Sequence, residues 1–329
     1  MPQINLPTND DHIDNVSTNN DPIIDTSNQP PINQQSAPIT NDKQQPDVRT
    51  YSDAEVTNPD AINVVIADNE TPIVVLFGPP ACGKTMTMIR LAEYLTTKRY
   101  SVQPVRSFRP DFDTNYRTNC DNFNSMLNNQ WAAEKSLGLN FMLLQVSKNG
   151  NPIVQILEAP GEHFYNPNDP NEPRPSFISY IQRVINSENT KLWIYLTEPD
   201  WKNQSDRQKY ASKGAKIKRH PRRHDKSIIL FNKVDTTNFL LGMGEVNEKQ
   251  AANFVNQNYP GLFDCFKNTN PISSLWKSHA CTFVPFTTGT YDTILDQGVE
   301  KKKYTPGPDI YPSKLWNTIL KAIGKLKIN

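Results

Sequence analysis

The stretch PIVVLFGPPACGKT, residues 72–85, joins a short apolar run to a glycine-rich loop and a helix. The run at 72–77 is typical of a buried strand. Residues 78–85 match the pattern G-x-x-x-x-G-K-[ST] in full, and the predicted helix extends from Lys84 to about Arg99. A strand, a loop of this pattern and a helix in succession predict a phosphate-binding loop at the helix N-terminus.

The residue types of this loop suit phosphate binding. Gly78 and Gly83 let backbone N–H groups approach phosphate oxygens without a Cβ in the way. Lys84 is expected to reach the β- and γ-phosphates and assist catalysis, and the Thr85 hydroxyl is the expected Mg²⁺ ligand. The remaining loop residues expected at the phosphates are Pro79, Pro80, Ala81 and Cys82. For Cys82 a lowered thiol pKa is one interpretation, and a small residue that fits the loop is the favoured one.

A second segment bears on the choice of base. NKVD, residues 232–235, ends the apolar run SIILFN at 227–232. An Asp235 carboxylate here can accept hydrogen bonds from the N1–H and N2 amine of guanine, a donor pair that adenine lacks. The stem of Lys233 can cover the ring, and Asn232 can tie this loop to the phosphate loop. The segment therefore predicts a guanine nucleotide.

Apolar runs and helical patterns alternate along the rest of the chain. The other predicted strands are 141–146, 152–158, 191–196 and 281–286, and the other predicted helices are 176–187, 203–216, 247–258 and one that starts after Pro312 with Ser313 as its cap. This alternation predicts a three-layer α/β fold with a mostly parallel sheet. Asn149-Gly150 predicts a hairpin, and therefore one antiparallel edge strand.

The order of phosphate loop, hairpin, EAPG (158–161), NKVD and FTTG (286–289) resembles that of TRAFAC-class P-loop GTPases with a Ras-like fold. The resemblance covers about residues 71–328 and lies at the level of motifs, without pointing to a narrower family. It implies a six-stranded sheet with one antiparallel strand. It also implies GTP and GDP as ligands, Mg²⁺ as cofactor and GTP hydrolysis as activity.

Roles at the two weaker motifs follow from this resemblance. Glu158, in place of the family's aspartate, would hold Mg²⁺ through a water, and the Gly161 N–H would contact the γ-phosphate. The backbone at Thr287 and Thr288 would recognise the guanine O6. For EAPG the alternative is an ordinary turn at the end of a strand.

The resemblance further implies a switch threonine and a residue that orients the attacking water. Thr114 and Thr118, within the interval 101–138, are the candidates for the threonine that closes on Mg²⁺, and Thr118 is kept among the predicted metal ligands. Glu162 follows the switch glycine and is one candidate for the catalytic position, with His163 as the substitute if the loop shifts by one residue. The alternative is that neither acts and hydrolysis is slow.

The same interval holds Arg106, Arg109 and Arg117. One of them could neutralise transition-state charge as an arginine finger in cis. Ordinary surface arginines are the favoured interpretation, because arginine is mostly exposed in folded proteins.

Composition divides the chain into a leader at 1–65 and a GTPase-like domain at 66–329. The leader is rich in Asn, Asp, Gln, Pro and Thr and is predicted to be disordered, since it cannot bury enough apolar area to offset its ordering entropy. Residues 1–70 carry 12 acidic and 2 basic side chains in a chain of net charge +1. This acidic stretch either screens the basic domain or, as favoured, simply stays solvated.

Other segments bear on partners and location. Residues 207–226 hold nine Lys or Arg and are expected on the face of the sheet opposite the nucleotide. RNA, a lipid headgroup, an acidic partner or the leader could bind there. The alternative is a solvated charged face. The Pro-rich segment 166–176 is a candidate surface for a protein that senses nucleotide state. Four separated cysteines, no signal-peptide pattern and no apolar run of membrane-spanning length predict a reduced cytoplasmic protein without a zinc site.

Three functions remain open from the sequence. The favoured one is a GTPase switch in which Mg²⁺ and GTP order the segments 101–138 and 161–176 for an unidentified protein partner. An ATPase of AAA or kinase type is a second, although an apolar strand ending in Asp-Asp or Asp-Glu is lacking. A GTP-binding scaffold without turnover is the third, and Glu158 and Glu162 favour it.

Overall fold

The computed structural model describes residues 54–55, 58–131, 141–166, 169–173, 177–200, 204–218, 225–242, 244–268 and 279–324. Within these ranges, positions 162, 164–166, 169–173 and 218 are described by their backbone alone. Most of the predicted leader, residues 1–53, lies outside the described residues.

The strands are β1 Ile73–Phe77, β2 Ser101–Pro104, β3 Met142–Lys148, β4 Asn151–Glu158, β5 Tyr165–Asn166, β6 Asp169–Pro173, β7 Lys191–Thr197, β8 Lys226–Phe231, β9 Leu240–Gly242, β10 Glu245–Val246, β11 Cys281–Pro285, β12 Gly289–Asp296 and β13 Val299–Pro306. The α-helices are α1 Lys84–Thr97, α2 Thr114–Asp121, α3 Phe123–Asn128, α4 Ser179–Asn186, α5 Gln204–Lys218, α6 Glu248–Asn258 and α7 Ile310–Ala322.

The central sheet has the strand order β11-β8-β7-β1-β4-β3-β2. All neighbours from β11 to β4 are parallel, and β3 runs antiparallel to both β4 and β2. β1 and β7 are buried at every position, which requires cover on both faces of the sheet. The predicted three-layer α/β fold, with a mostly parallel sheet and one antiparallel strand, is confirmed.

The antiparallel strand is not at the edge of the sheet, contrary to expectation. The Asn149-Gly150 turn forms as predicted, with both residues at positive φ, and joins β3 to β4. However, β2 pairs with the far side of β3, from Ser101 opposite Ser147 onward, and makes a seventh strand among the described residues. β2 has only one buried residue in four, so its sequence lacks the apolar pattern that signals a strand.

The C-terminal helix starts earlier than predicted. α7 begins at Ile310 rather than after Pro312, and Ser313 lies inside it rather than at its cap. Pro312 is accommodated because the first turn of a helix needs no N–H from its residues. The sequence places Leu315, Trp316, Ile319, Leu320 and Ile323 at helical spacing. The first four are buried and Ile323 is half-buried against the core.

The folded chain also begins before residue 66, so the predicted leader boundary is too late. Ile62 and Val64 are 2% and 0% exposed and belong to the hydrophobic core. The Val65 N–H donates to the Phe108 carbonyl at 2.8 Å. Residues 58–66, here called the N-terminal strap, therefore pack on the domain.

The hairpin of β12 and β13 was not predicted. Its strands pair over their whole length around a Gln297-Gly298 turn, in which both residues have positive φ. Most of its residues are exposed, so it shows no alternation of apolar and polar positions. No helix in the described part of the chain is long and apolar enough to cross a bilayer.

Candidate nucleotide-binding site

The loop between β1 and α1 is bent by two residues in the left-handed region. Ala81 has φ 63° and Gly83 has φ 86°, and α1 begins at the next residue, Lys84. The Lys84 side chain is 5% exposed, and its Nζ donates a hydrogen bond to the Pro79 carbonyl at 2.9 Å. The ammonium group thus lies inside the curl of the loop, beside the helix N-terminus, which favours anions.

The EAPG turn lies directly against this loop. A Cβ on Gly161 would be 2.3 Å from the backbone nitrogen of Pro80 and 2.5 Å from the carbonyl carbon of Pro79. Only glycine permits such close contact between the two backbones. The turn therefore lies beside the phosphate loop, and its predicted contact with the γ-phosphate stays a prediction.

Thr85 and Glu158 form the candidate metal site. The Thr85 Oγ1 donates to Glu158 Oε1 at 2.8 Å, and Glu158 is 1% exposed. A hydroxyl and a carboxylate are hard oxygen donors, which suit Mg²⁺. Within the described residues no three His, Cys, Asp or Glu side chains converge. Mg²⁺ does not need them, because it commonly takes one or two protein ligands beside waters and phosphates.

The NKVD segment is joined to the phosphate loop. The Asn232 Nδ2 donates to the Cys82 carbonyl at 3.3 Å, as the sequence predicted, while Asn232 Oδ1 accepts from the Lys233 N–H at 2.9 Å. Lys233 has φ 56°, in the left-handed region. The Val234 N–H donates to the Phe286 carbonyl at 3.1 Å, which ties NKVD to the FTTG loop as well.

A cavity of about 310 Å³ opens between the ends of β8 and β11. Its lining residues are Gly83, Asn232, Lys233, Asp235, Thr236, Thr287, Thr288, Gly289, Thr290 and Tyr291. Asp235 is exposed, and its carboxylate makes no hydrogen bond or ion pair with the described residues. Both of its oxygens are therefore available to the donors of a ligand in this cavity.

The FTTG loop is fixed by the hairpin that follows it. The Thr288 carbonyl accepts hydrogen bonds from the Gly307 N–H at 3.0 Å and from the Tyr304 hydroxyl at 2.9 Å. The Gly289 N–H donates to Thr287 Oγ1 at 3.3 Å. The loop that borders the cavity is thus held in place by groups outside it.

Glu198, at the end of β7, is a residue of this site that the sequence analysis missed. Its side chain is 5% exposed and forms an ion pair with the Lys233 ammonium. Its backbone is held by Tyr259, whose hydroxyl donates to the Glu198 carbonyl at 2.7 Å. An acidic residue directly after an apolar strand, at the sheet edge that collects ligands, was the available signal.

Cys82 is not a reactive thiol. The side chain is fully buried, and this burial raises the pKa of the thiol to about 11, although Lys84 acts in the opposite direction. The favoured interpretation, a small residue that fits the loop, agrees with this environment.

The switch threonines are placed in α2. Thr114 is its first residue, and the Thr118 hydroxyl donates to the Thr114 carbonyl at 2.9 Å. The hydroxyl of Thr118 is thus engaged by its own helix, whereas Thr85 is the hydroxyl that contacts Glu158. In this conformation the structure does not support the metal role predicted for Thr118.

Arg109 is not a surface arginine. It is 2% exposed and forms ion pairs with Glu55 at 2.7 Å and with Asp113 at 2.7 Å, and it also donates to the Asn63 carbonyl at 2.6 Å. These contacts engage its guanidinium and do not support the alternative role as an arginine finger. The surface interpretation holds for Arg106, which is exposed and pairs with Asp121. Arg117 is half-buried and pairs with the exposed Asp111.

The two candidates for orienting water differ in placement. His163 is 2% exposed, its Nδ1 lies 2.7 Å from the Tyr180 hydroxyl, and its ring meets those of Tyr180 and Phe141 edge-on. This position inside an aromatic cluster does not support the catalytic role predicted for His163. The side chain of Glu162 lies outside the described residues.

The basic segment 207–226 is only partly a surface. Arg207 and Lys213 are 8% and 1% exposed, and the Lys213 ammonium lies 4.4 Å from the centre of the Phe177 ring. The prediction that the segment forms a solvated or ligand-binding surface is thus wrong for these two side chains. The most basic part, residues 219–224, lies outside the described residues.

No protein-family model and no curated protein matches the sequence. Solved structures similar to this chain include the Ski7 GTPase-like domain of S. cerevisiae bound to GDP and inorganic phosphate (13% identity, TM-score 0.39, covering 84% of this chain and 54% of that one). A second is the Roco2 RocCORdC of Methanosarcina barkeri bound to GDP (15% identity, TM-score 0.31, covering 79% of this chain and 51% of that one). A third is a GTPase from Pyrococcus abyssi in apo form (15% identity, TM-score 0.31, covering 65% of this chain and 90% of that one). This chain thus spans about half of the Ski7 and Roco2 chains. At these TM-scores the similarities carry no part of the functional case, which depends on the site itself.

Proposed function

We propose that this chain binds guanine nucleotides and hydrolyses GTP in a Mg²⁺-dependent reaction, as a molecular switch. The observation that carries the proposal is the convergence of segments distant in sequence on one edge of the sheet. Gly83, from the phosphate loop, lines the same cavity as Asp235 and Thr288. The cavity of the proposed base site therefore reaches the phosphate loop at Gly83, an arrangement that fits a whole nucleotide.

The choice of guanine depends on Asp235. Its exposed carboxylate offers two acceptors to the N1–H and N2 amine of guanine, whereas adenine would leave the carboxylate without matching donors. The ion pair between Glu198 and Lys233 keeps the lysine stem along the cavity wall, where it can cover the ring.

The phosphate end depends on Lys84, Thr85 and Glu158. Lys84 would exchange the Pro79 carbonyl for phosphate oxygens, and Thr85 with Glu158 would hold Mg²⁺. When bound, Mg²⁺ neutralises charge that develops on the β- and γ-phosphate oxygens.

Two measurements on the purified protein test this proposal. Competition between GTP and ATP for the site is expected to favour GTP strongly, because only guanine satisfies Asp235. Phosphate release from GTP is expected to require Mg²⁺ and to cease when Mg²⁺ is chelated. Preference for ATP would contradict the base assignment, and an ATPase would become the better account.

A second candidate is a GTP-binding scaffold without turnover. The burial of His163 against Tyr180 and the pairing of Arg109 favour it, since neither residue is presented for catalysis. The two functions separate cleanly, because tight GTP binding without phosphate release is the result expected of the scaffold alone.

A further inference from the structure

The β12–β13 hairpin leaves directly from the loop that borders the base cavity. At its foot, Gly289 has φ 137°, and a Cβ there would lie 2.1 Å from the Thr305 carbonyl oxygen and 2.6 Å from the Gly307 nitrogen. No other residue type fits between these two backbones. The hairpin therefore projects in a fixed direction from the FTTG loop.

Tyr291 is the large side chain that this hairpin places in the cavity wall. Its ring packs on that of Tyr304, with centroids 5.7 Å apart, and its hydroxyl lies 3.1 Å from Thr288 Oγ1. Tyr304 is buried and bonded to the Thr288 carbonyl. Tyr291 is nevertheless 41% exposed. The ring is thus fixed by its neighbours while part of its surface stays open to the cavity.

The ring shares this space with the groups proposed to read the base. Tyr291, Lys233 and Asp235 all line the cavity. Burial raises the pKa of the Tyr291 hydroxyl, and the negative charge of Asp235 acts in the same direction, as expected for groups that are near each other.

We propose that Tyr291 covers a face of the nucleobase that binds beside Asp235, an inference that rests on the proposed function. The hydrogen-bonding groups of a purine lie on its edges, so Asp235 and the FTTG loop can satisfy only the edge. The faces of the ring gain from aromatic and apolar contact, which the Lys233 stem supplies only in part. A tyrosine already held in place supplies this contact at little entropic cost.

Three variants test the proposal in the full-length chain. Tyr291→Ala removes the ring, Tyr291→Phe removes only the hydroxyl that contacts Thr288, and Leu295→Ala alters an exposed residue near the tip of the same hairpin. Calorimetry would give the affinities for GDP, inosine diphosphate and pyrophosphate. Inosine diphosphate lacks the N2 amine and so reports on the hydrogen-bonded edge, whereas pyrophosphate reports on the phosphate loop alone.

Loss of the ring is expected to weaken GDP binding by roughly 5- to 150-fold, the usual range for a base stacked on an aromatic side chain. The ratio of GDP to inosine diphosphate affinity and the affinity for pyrophosphate should stay unchanged, because stacking reads neither the amine nor the phosphates. Tyr291→Phe keeps the ring and should retain most of the GDP affinity that Tyr291→Ala loses, and Leu295→Ala should bind GDP as the wild type does. If Tyr291→Ala does not fold, Tyr291→Leu replaces it, with a GDP loss of at least several-fold expected.

Unchanged GDP affinity in Tyr291→Ala, or in its leucine substitute, would overturn the role of Tyr291. An equal loss of pyrophosphate and GDP affinity would also overturn it, because the residue would then support the fold rather than the base. A wild type that binds GDP no more tightly than pyrophosphate would instead refute the proposed function, and the role of Tyr291 with it.

Discussion

Lys84 lies in the first turn of α1 with little exposure, and its ammonium donates one hydrogen bond within the described part of the chain, to the Pro79 carbonyl. A buried ammonium loses much of its hydration, and one carbonyl compensates for that loss only in part. Phosphate oxygens would compensate far better, since hydrogen bonds between charged groups are the strong ones. The residue is therefore expected to matter for binding and little for folding.

Lys84→Ala should reduce GTP affinity on the order of 100-fold or more while leaving cooperative unfolding intact. Lys98→Ala is the matched control, because Lys98 is exposed just past the other end of the same helix. Calorimetric titration of both variants with GTP gives the comparison. Retained affinity in Lys84→Ala would remove the phosphate-loop assignment.

Residues of the candidate site were predictable where they follow strand ends, and less so elsewhere. Asn232 comes directly after β8, and Thr287 lies two residues past the end of β11. Because β8 and β11 are parallel neighbours, the convergence of the two residues follows from the sheet. Tyr291 was missed because it lies on an exposed hairpin without an apolar pattern. His163 was misjudged because its burial depends on Phe141 and Tyr180, whose positions local sequence does not reveal.

Among the elements, the N-terminal strap differs most from what composition predicted, because it packs on the domain instead of belonging to a disordered leader. Ile62, Val64 and Ile66 alternate with exposed residues, but this run is short and follows directly on the polar leader. The burial of Ile62 and Val64 depends on neighbours distant in sequence. The strap carbonyls at Asn63 and Val64 accept from Arg109 and Arg183, respectively. The strap thus links α4 to the 101–138 interval, which is one of the segments expected to respond to nucleotide.

Ile62→Ala should lower the free energy of unfolding by about 2–5 kcal/mol, because it removes a large aliphatic side chain from a packed core. Val65→Ala, in the same strap but 43% exposed, should change it by less than about 0.5 kcal/mol. Urea unfolding of the two variants decides this prediction. Equal, small effects would show that the strap is not part of the folded core in solution.

For the whole molecule, the fold was the most predictable level, because strands alternating with helices leave few topologies open. The seventh strand and the β12–β13 hairpin are among the parts that the sequence did not reveal, together with α2, α3 and the β9–β10 pair. The topology brings together, at one edge of the sheet, segments that lie as far apart in sequence as residues 78 and 291. We infer that this edge binds a nucleotide and selects guanine through Asp235.

Asp235→Asn tests this selection of guanine, with affinities for GTP, XTP and ATP measured for wild type and variant. Asparagine would direct an NH₂ group at a guanine donor, while xanthine has a carbonyl oxygen in place of the N2 amine and can accept it. GTP affinity should fall roughly 30- to 1000-fold and XTP should become the preferred ligand, with the Mg²⁺ requirement unchanged. Asp292→Asn, an exposed site on β12, should leave GTP preference intact. A wild type that prefers ATP, or an Asp235→Asn variant with full GTP affinity, would contradict the account.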